Sequence, residues 1–304
     1  MAHDLRLALW HAPFSRDGPG VLLRDLHKGD PSLTAMANAL RGADADIIVL
    51  TKIDYDAREA ALTALRDLIG DGHTYLIALP ANSGIPSGID SDGDGRLGEP
   101  EDAQGFGAFP GYGALAVLSR YPISRQEARS FNDLLWKDLP GSQMTPADKG
   151  WDRQRLSSGG HWVVPVDIPP DVRLGLLIGH AGPPVFDGPE DRNGRRNHDE
   201  LRLWEQIIAD DLNDAMPVFM ANTNLDPDRG EGNRPALAAF ISDGPFQDAL
   251  PHIPTALWDD PGPMRVSYLL PSAALSVVDA KVWPPIPDQD HRLITVDIDL
   301  PDLR

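Results

Sequence analysis

The chain has 304 residues and sets 27 Lys and Arg against 46 Asp and Glu, a formal net charge of −19. That field repels polyanions, so long nucleic acids are disfavoured partners; no apolar run reaches the roughly 18 residues of a membrane span. The absence of cysteine excludes disulfides, thiolate metal sites and thiol nucleophiles, while 41% hydrophobic residues suffice for one large core over residues 1–304.

Met1-Ala2-His3-Asp4 shows no signal-peptide pattern and leads directly into the strand-like Leu5–Trp10. Ser32–Ala43 follows with Leu33, Met36 and Leu40 at helical spacing. Asp46–Thr51 is a continuous apolar run, as expected of a strand covered on both faces, and Lys52 stands at its exit. Ala57–Ile69 returns to helical spacing through Leu62, Leu65 and Ile69. Ala114–Ser119, His161–Ile168 and Leu174–His180 are the next strands, separated by 124–160, a polar Gly- and Pro-rich stretch expected to cross the surface. Arg192, Arg195 and Arg196 form the one tight basic cluster, read as a solvated loop rather than a phosphate grip. The strongest helix is Asn197–Leu212, with Leu201, Trp204, Ile208 and Leu212 on one stripe and Asn197 and Glu200 spaced as a cap. Pro217–Thr223, Arg265–Leu270, Val277–Trp283 and Leu293–Leu300 complete the strands. Many strands with a few interspersed helices predict an α/β sandwich, sheets inside and helices outside.

Residues 90–101 match the twelve-residue calcium-loop pattern. Asp90, Asp92 and Asp94 supply carboxylates, Arg96 a backbone carbonyl and Glu101 the closing bidentate ligand, with Gly95 at the sharp turn. The Gly-rich flanks cannot form the helices of a sensor pair, so a lone, structural Ca2+ loop is expected. Such a loop suits an exported setting, periplasmic or extracellular.

Five further segments carry the chemistry: Ile47–Asp54, Gly113–Ile123, Gly179–Gly188, Ala221-Asn222-Thr223-Asn224-Leu225-Asp226-Pro227 and Arg265–Ser272, followed by Asp290-His291-Arg292. In this order and at these spacings they resemble the endonuclease/exonuclease/phosphatase superfamily, most closely its bacterial, often exported branch. The resemblance runs from Leu5 to Leu300. It implies a four-layered, DNase I-like α/β sandwich: two packed mixed β-sheets flanked by helices, with the site at one end. It also implies hydrolysis of phosphate esters with a divalent metal, typically Mg2+, which neutralises charge on the phosphoryl oxygens. By resemblance, His180 is the central histidine, Asn224 the asparagine of the Gly-Asp-x-Asn motif, and Asp290 and His291 the C-terminal Asp-His pair.

The departures fall in the same motifs. His11 stands where the first strand would end in asparagine, Lys52 where a metal-binding glutamate is expected, Asn222 and Ser267 where aspartates are expected. Gly159 and Gly160 replace a lysine-containing stretch before His161-Trp162. A lysine about 4 Å from a dication would be repelled by roughly 8 kcal/mol at an effective dielectric of about 20. Half of that would cost about a thousand-fold in affinity, so Mg2+ at the family site is disfavoured.

Two functions compete. In one, the chain is a non-catalytic relative binding a small or anionic ligand, or a partner, where metal and phosphate once sat, with Lys52, His11, His180 and His291 as its walls. In the other it remains a hydrolase, with Lys52 replacing the metal's charge or the histidines holding Zn2+ or another transition metal. For the residues one by one, plainer roles compete: Lys52 paired with Asp54 or Asp290, and Asp187, Glu190 and Asp191 as a solvated loop rather than a second cation site.

Overall fold

The protein is described from a computed structural model covering residues 4–300 except 71, 211, 213 and 214. Met1-Ala2-His3, where no signal pattern is read, lies outside the described residues. In chain order come β1 (Asp4–Trp10), α1 (Val21–Lys28), α2 (Pro31–Ala43), β2 (Ile47–Ile53), α3 (Ala60–Ile69), β3 (Tyr75–Leu79) and β4 (Ala114–Ser119). β5 (Arg129–Ser130), β6 (Gly160–Ile168), β7 (Val172–His180), α4 (Arg192–Ala209), β8 (Met216–Asn222) and α5 (Arg234–Asp243) follow. The last elements are β9 (Ala256–Leu257), β10 (Pro263–Met264), β11 (Ser267–Pro271), β12 (Ser276–Val282) and β13 (Ile294–Asp299).

Six strands form one sheet in the order β12-β13-β1-β2-β4-β3, and five form a second, β11-β8-β7-β6-β5. Each is mixed: β1–β2 and β7–β8 pair in parallel, their other neighbours antiparallel. Alternation along the strands explains the layers. Leu5, Leu7 and Leu9 of β1 and Ile47 and Val49 of β2 meet Leu174, Leu176 and Ile178 of β7 and Val218 and Met220 of β8 between the sheets. The opposite faces, Ala8, Trp10, Ile48 and Leu50, are covered by α1, α2 and α3. On the far side Leu177, Phe219 and Tyr268 pack under α4 and α5. This is the four-layered sandwich expected. No helix among the described residues is long and apolar enough to cross a membrane.

Two expectations need correction. The helix placed at Asn197–Leu212 begins at Arg192, because the Asp187 carboxylate accepts the Asn193 N–H at 2.5 Å and supplies the acceptor at its start. It ends at Ala209, short of residue 211, which lies outside the described residues. The three arginines therefore sit in its first turns, not in a solvated loop. Arg195 pairs with Asp148 at 2.6 Å, and buried Arg196 donates to the carbonyls of Leu156, Gln104 and Arg155. The stretch 124–160 is likewise no mere surface excursion. Trp136, Leu139, Met144 and Leu156 are buried in the cluster under α4, and the Trp136 indole donates to buried Asp199 at 2.7 Å.

Candidate functional site at the strand exits

The inward-facing rows of β1, β7, β8 and β11 end alike. One step beyond the apolar residues Leu9, Ile178, Met220 and Leu269 stand His11, His180, Asn222 and Ser267. Strand register fixes their neighbourhood: His180 lies opposite Asn222, and Asn222 opposite Ser267. On β2 the pairing slips between Leu50 and Ile53, and Lys52 sits in that irregular stretch. His291 is brought in from the C-terminal side by its bridge to Ala256, while the Trp10 indole donates to its carbonyl at 3.0 Å.

His11 is the centre of an imidazole cluster. Its ring lies 4.5 Å from that of His180 and 4.4 Å from that of His291, centroid to centroid. Its Nδ1 is 2.9 Å from the Thr51 hydroxyl, and the Trp258 ring stands edge-on to His291 at 5.3 Å. Burial, then proximity to Lys52, pushes His180 and His291 down to about 3. Burial and the two neighbouring histidines push His11 well below its ordinary value. All three rings are neutral at pH 7. Nδ1 of His180 and of His291 is buried without a hydrogen-bond partner among the described residues.

Lys52 is partly buried beside these rings, and its amine has neither an ion pair nor a hydrogen bond among the described residues. Neither suggested pairing occurs. Asp54 instead accepts the Arg16 N–H at 2.8 Å and the Gly113 N–H at 3.2 Å, and Asp290 is exposed and forms no ion pair among the described residues. Burial pushes the Lys52 ammonium below its ordinary value, with Asp290 acting in the opposite sense.

Asn222, Asn224 and Ser267 satisfy one another. The Asn222 amide donates to Asn224 Oδ1 at 3.1 Å, Asn224 Nδ2 donates to the Ala181 carbonyl at 2.7 Å, and the Ser267 hydroxyl reaches Asn222 Oδ1 at the long limit of 3.5 Å. Asn224 holds a left-handed backbone, φ 52°, which an asparagine tolerates better than most residues.

Sequence reasoning missed the support behind His180. Glu200 of α4, fully buried, accepts the Ser158 N–H at 2.5 Å and the Gly182 N–H at 2.8 Å, tying together the loops on either side. Burial raises its carboxyl to about 7, against the pull of Arg196. Asn197, expected as a cap, instead donates to the carbonyls of Gly182 and Thr223, both at 2.8 Å. A carboxylate on the same helical stripe as Leu201 and Trp204 was the available signal. Gly159 packs on His180 so closely that a β-carbon there would lie 2.7 Å from the ring. His161 serves architecture: it is buried, bonded to Ser157 and to the Glu200 carbonyl, stacked on Trp204 and pushed down to about 4 by burial.

The acidic loop stands apart from this cluster. Asp90, Asp92 and Asp102 bring oxygens within 4.8 Å of one another and could hold a metal ion. Asp94 and Glu101 lie outside that gathering. Glu101 is exposed, whereas Asp102, one residue on, is buried and accepts the N–H groups of Ser91 at 2.7 Å and Gly98 at 2.9 Å. The gathering includes Asp102, one residue past the expected closing position, in a short 3-10 turn, Pro100–Asp102. Arg96 contributes a backbone N–H to Asp94 at 2.8 Å. Asp187, Glu190 and Asp191 form no such gathering among the described residues; Glu190 accepts the Gly188 N–H at 3.3 Å.

The fold has known counterparts. The chain resembles an endonuclease/exonuclease/phosphatase from Beutenbergia cavernae, with TM-score 0.64 and 18% identity over 98% of this chain and 72% of that one. It resembles the human Nocturnin catalytic domain, solved with a bound sulfate anion, with TM-score 0.58 and 13% identity over 97% and 93%. Sphingomyelinase C from Streptomyces griseocarneus gives 0.54 and 14% over 97% and 99%. No curated protein matches the chain. At these identities the structures establish the fold. The description of the Endonuclease/Exonuclease/phosphatase family matches residues 20–291, and the chain belongs to that family.

Proposed function

We propose that this protein is a non-hydrolytic member of its family that binds a small anion at the strand exits, with Lys52 as the charge and the histidines as donors. The observation that carries the reading is the Lys52 amine, partly buried yet without a carboxylate partner among the described residues. A cation removed from water and left unpaired is costly unless a ligand completes it. His180 and His291 add two unpartnered ring nitrogens to the same cluster. A compact anion such as phosphate or sulfate would pair with the Lys52 ammonium, and the bound sulfate of the Nocturnin domain is of this chemical type.

The residues present do not fit the Mg2+ that the family implies. Lys52, Asn222 and Ser267 offer a cation, an amide and a hydroxyl, leaving Asp290 as the matched carboxylate. Zn2+ fits no better: the three histidines are absent from the donor groups that converge within 4.8 Å among the described residues. Titration calorimetry with inorganic phosphate tests the proposal. Lys52→Met should weaken binding by about 10- to 100-fold, the worth of a charge-assisted contact. Chelator-sensitive hydrolysis of a generic phosphodiester that disappears in His180→Ala would overturn it. The competing hydrolase, with Lys52 standing in for the metal's charge, draws on the approach of His180 and His291 to His11; its mark is metal-independent turnover that falls in Lys52→Met.

For the acidic loop the ion we propose is Ca2+. Hard carboxylate oxygens from Asp90, Asp92 and Asp102 suit it, and its role would be to brace the long loop before β4.

A further inference from the structure

β12 (Ser276–Val282) ends the six-stranded sheet: β13 pairs one side of it, and the other side carries no strand among the described residues. The register fixes what that open side offers. The Trp283 N–H donates to the Leu293 carbonyl at 2.8 Å, while Val282 lies opposite Ile294 and Ala280 opposite Val296. Antiparallel ladders alternate, so Val282 and Ala280 turn their N–H and C=O groups away from β13. Arg292 donates to the Val282 carbonyl at 3.3 Å; the outward groups of Ala280 have no partner among the described residues. The opposite edge of the sheet, β3, is closed instead. Glu59 accepts its Ala78 N–H at 3.0 Å, and Arg125 donates to its Leu76 carbonyl at 2.8 Å.

The charges along β12 are incomplete as well. Arg6, Asp297 and Asp279 lie in one row across β1, β13 and β12. Arg6 grips Asp297 with two bonds, at 2.7 and 2.6 Å. Asp279 is left opposite a like charge, an arrangement that destabilises a sheet, with no ion pair of its own among the described residues. Two residues on, exposed Lys281 has no acid either; its ammonium lies 3.9 Å from the centre of the Trp283 ring.

We propose that β12 is a self-pairing edge through which two copies of this chain associate, antiparallel, about a two-fold axis at Ala280. In that register the two Ala280 residues exchange their outward backbone bonds. Asp279 stands opposite Lys281 of the second copy, and exposed Val278 opposite Val282. The Asp279–Lys281 positions are then of the non-hydrogen-bonded kind, in which side chains approach most closely. The row of Arg6, Asp297 and Asp279 gains the cation it lacks, and the symmetry supplies this pair twice. The bulge between Val277 and Asp279 ends the ladder beyond Val278, so the contact is short and sensitive to those charges.

Sedimentation equilibrium of the full chain at physiological salt tests the proposal, with Asp279→Lys, Lys281→Asp and an equimolar mixture of the two. Circular dichroism checks that the variants fold. The wild type should show a concentration-dependent equilibrium between monomer and dimer. Each single variant sets like charges opposite one another twice and should weaken the dimer by about 10-fold or more. The mixture should recover it, because each variant supplies the charge that the other lacks. Ala280→Pro removes only an outward N–H and should give a monomer; it stands in where a charge variant does not fold. A wild type that stays monomeric, a dimer indifferent to these variants, or a mixture that associates no better than its components overturns the proposal.

Discussion

The loop around Asp90 and the cluster around His11 both gather ionisable groups, but they satisfy them in opposite ways. In the loop, carboxylates accept from their own backbone: Asp90 from Gly93 and Gly95, Asp92 from Asp94, Asp102 from Ser91 and Gly98. The glycines at positions 93, 95 and 98 hold φ of 85°, 88° and 90°, which lets the chain curl around its own acids. At the strand exits the charge is a lysine, the neighbours are neutral rings, and two ring nitrogens lack a partner among the described residues. A local loop can collect negative charge for a cation; a site built from five strands and a C-terminal segment can exclude it. The two gatherings thus differ in the sign of the charge they present.

The most direct break comes from reversing the second of these. Lys52→Glu with Asn222→Asp and Ser267→Asp should raise Mg2+ affinity, measured by calorimetry, by about a thousand-fold or more, by the electrostatic argument that disfavours the ion in the native chain. Unchanged weak binding would mean that the strand exits differ from a metal site in geometry as well as in charge.

Acid should then act chiefly on the strand-exit cluster. His180 and His291 fall from 6.5 to about 3 on folding, so the unfolded chain binds more protons between those values. Stability is present above about 6.5 and is lost as pH falls toward 3, at up to about 1.4 kcal/mol per pH unit for each histidine. Glu200, raised from 4.5 to about 7, has the opposite slope in the upper part of that range and offsets about one histidine. Urea unfolding at neutral and acidic pH measures the balance; equal stability at both would contradict burial of neutral rings.

Removing the brace behind His180 should cost less. Glu200→Ala leaves the Ser158 and Gly182 N–H groups without their acceptor, a loss of about 2 to 4 kcal/mol by denaturant melt. Glu200→Gln keeps the shape and an acceptor and should restore most of it. The smallest effect belongs to the acidic loop. Calcium at tenfold its dissociation constant adds about 1.4 kcal/mol, read as a rise in melting temperature that chelator reverses. Asp102→Asn should abolish that rise, while Glu101→Gln should leave it. The reverse pattern would restore the closing position that the loop motif suggests.

Much of this architecture was legible in the residues. The nine apolar runs all fall on strands, most because a strand buried on both faces needs continuous hydrophobic sequence, as where Ala114–Ser119 coincides with β4; β12, largely exposed, is the exception. α1 and α5, of eight and ten residues, were missed because each buries only two residues, too few for a periodic stripe. The start of α4 was misplaced because its acceptor, Asp187, is supplied by the loop before it, and Asn197 was drawn instead to Gly182 and Thr223. Trp136, Leu139, Met144 and Leu156 lie in a polar stretch with no period, so their burial under α4 had no local mark.

Residue order and type alone settled the alternation that builds two sheets, the family resemblance, and the identity of His11, Lys52, Asn222 and Ser267 at strand ends. Those follow from local chemistry: side-chain period, charge and spacing along the chain. That His11 lies between His180 and His291, that Lys52 pairs with neither Asp54 nor Asp290, and that Asp102 joins the acidic gathering were decided only by the tertiary structure. These are contacts between segments far apart in the chain, or, at Asp102, a one-residue turn. Burial there sets which groups stay neutral and which are left without a partner.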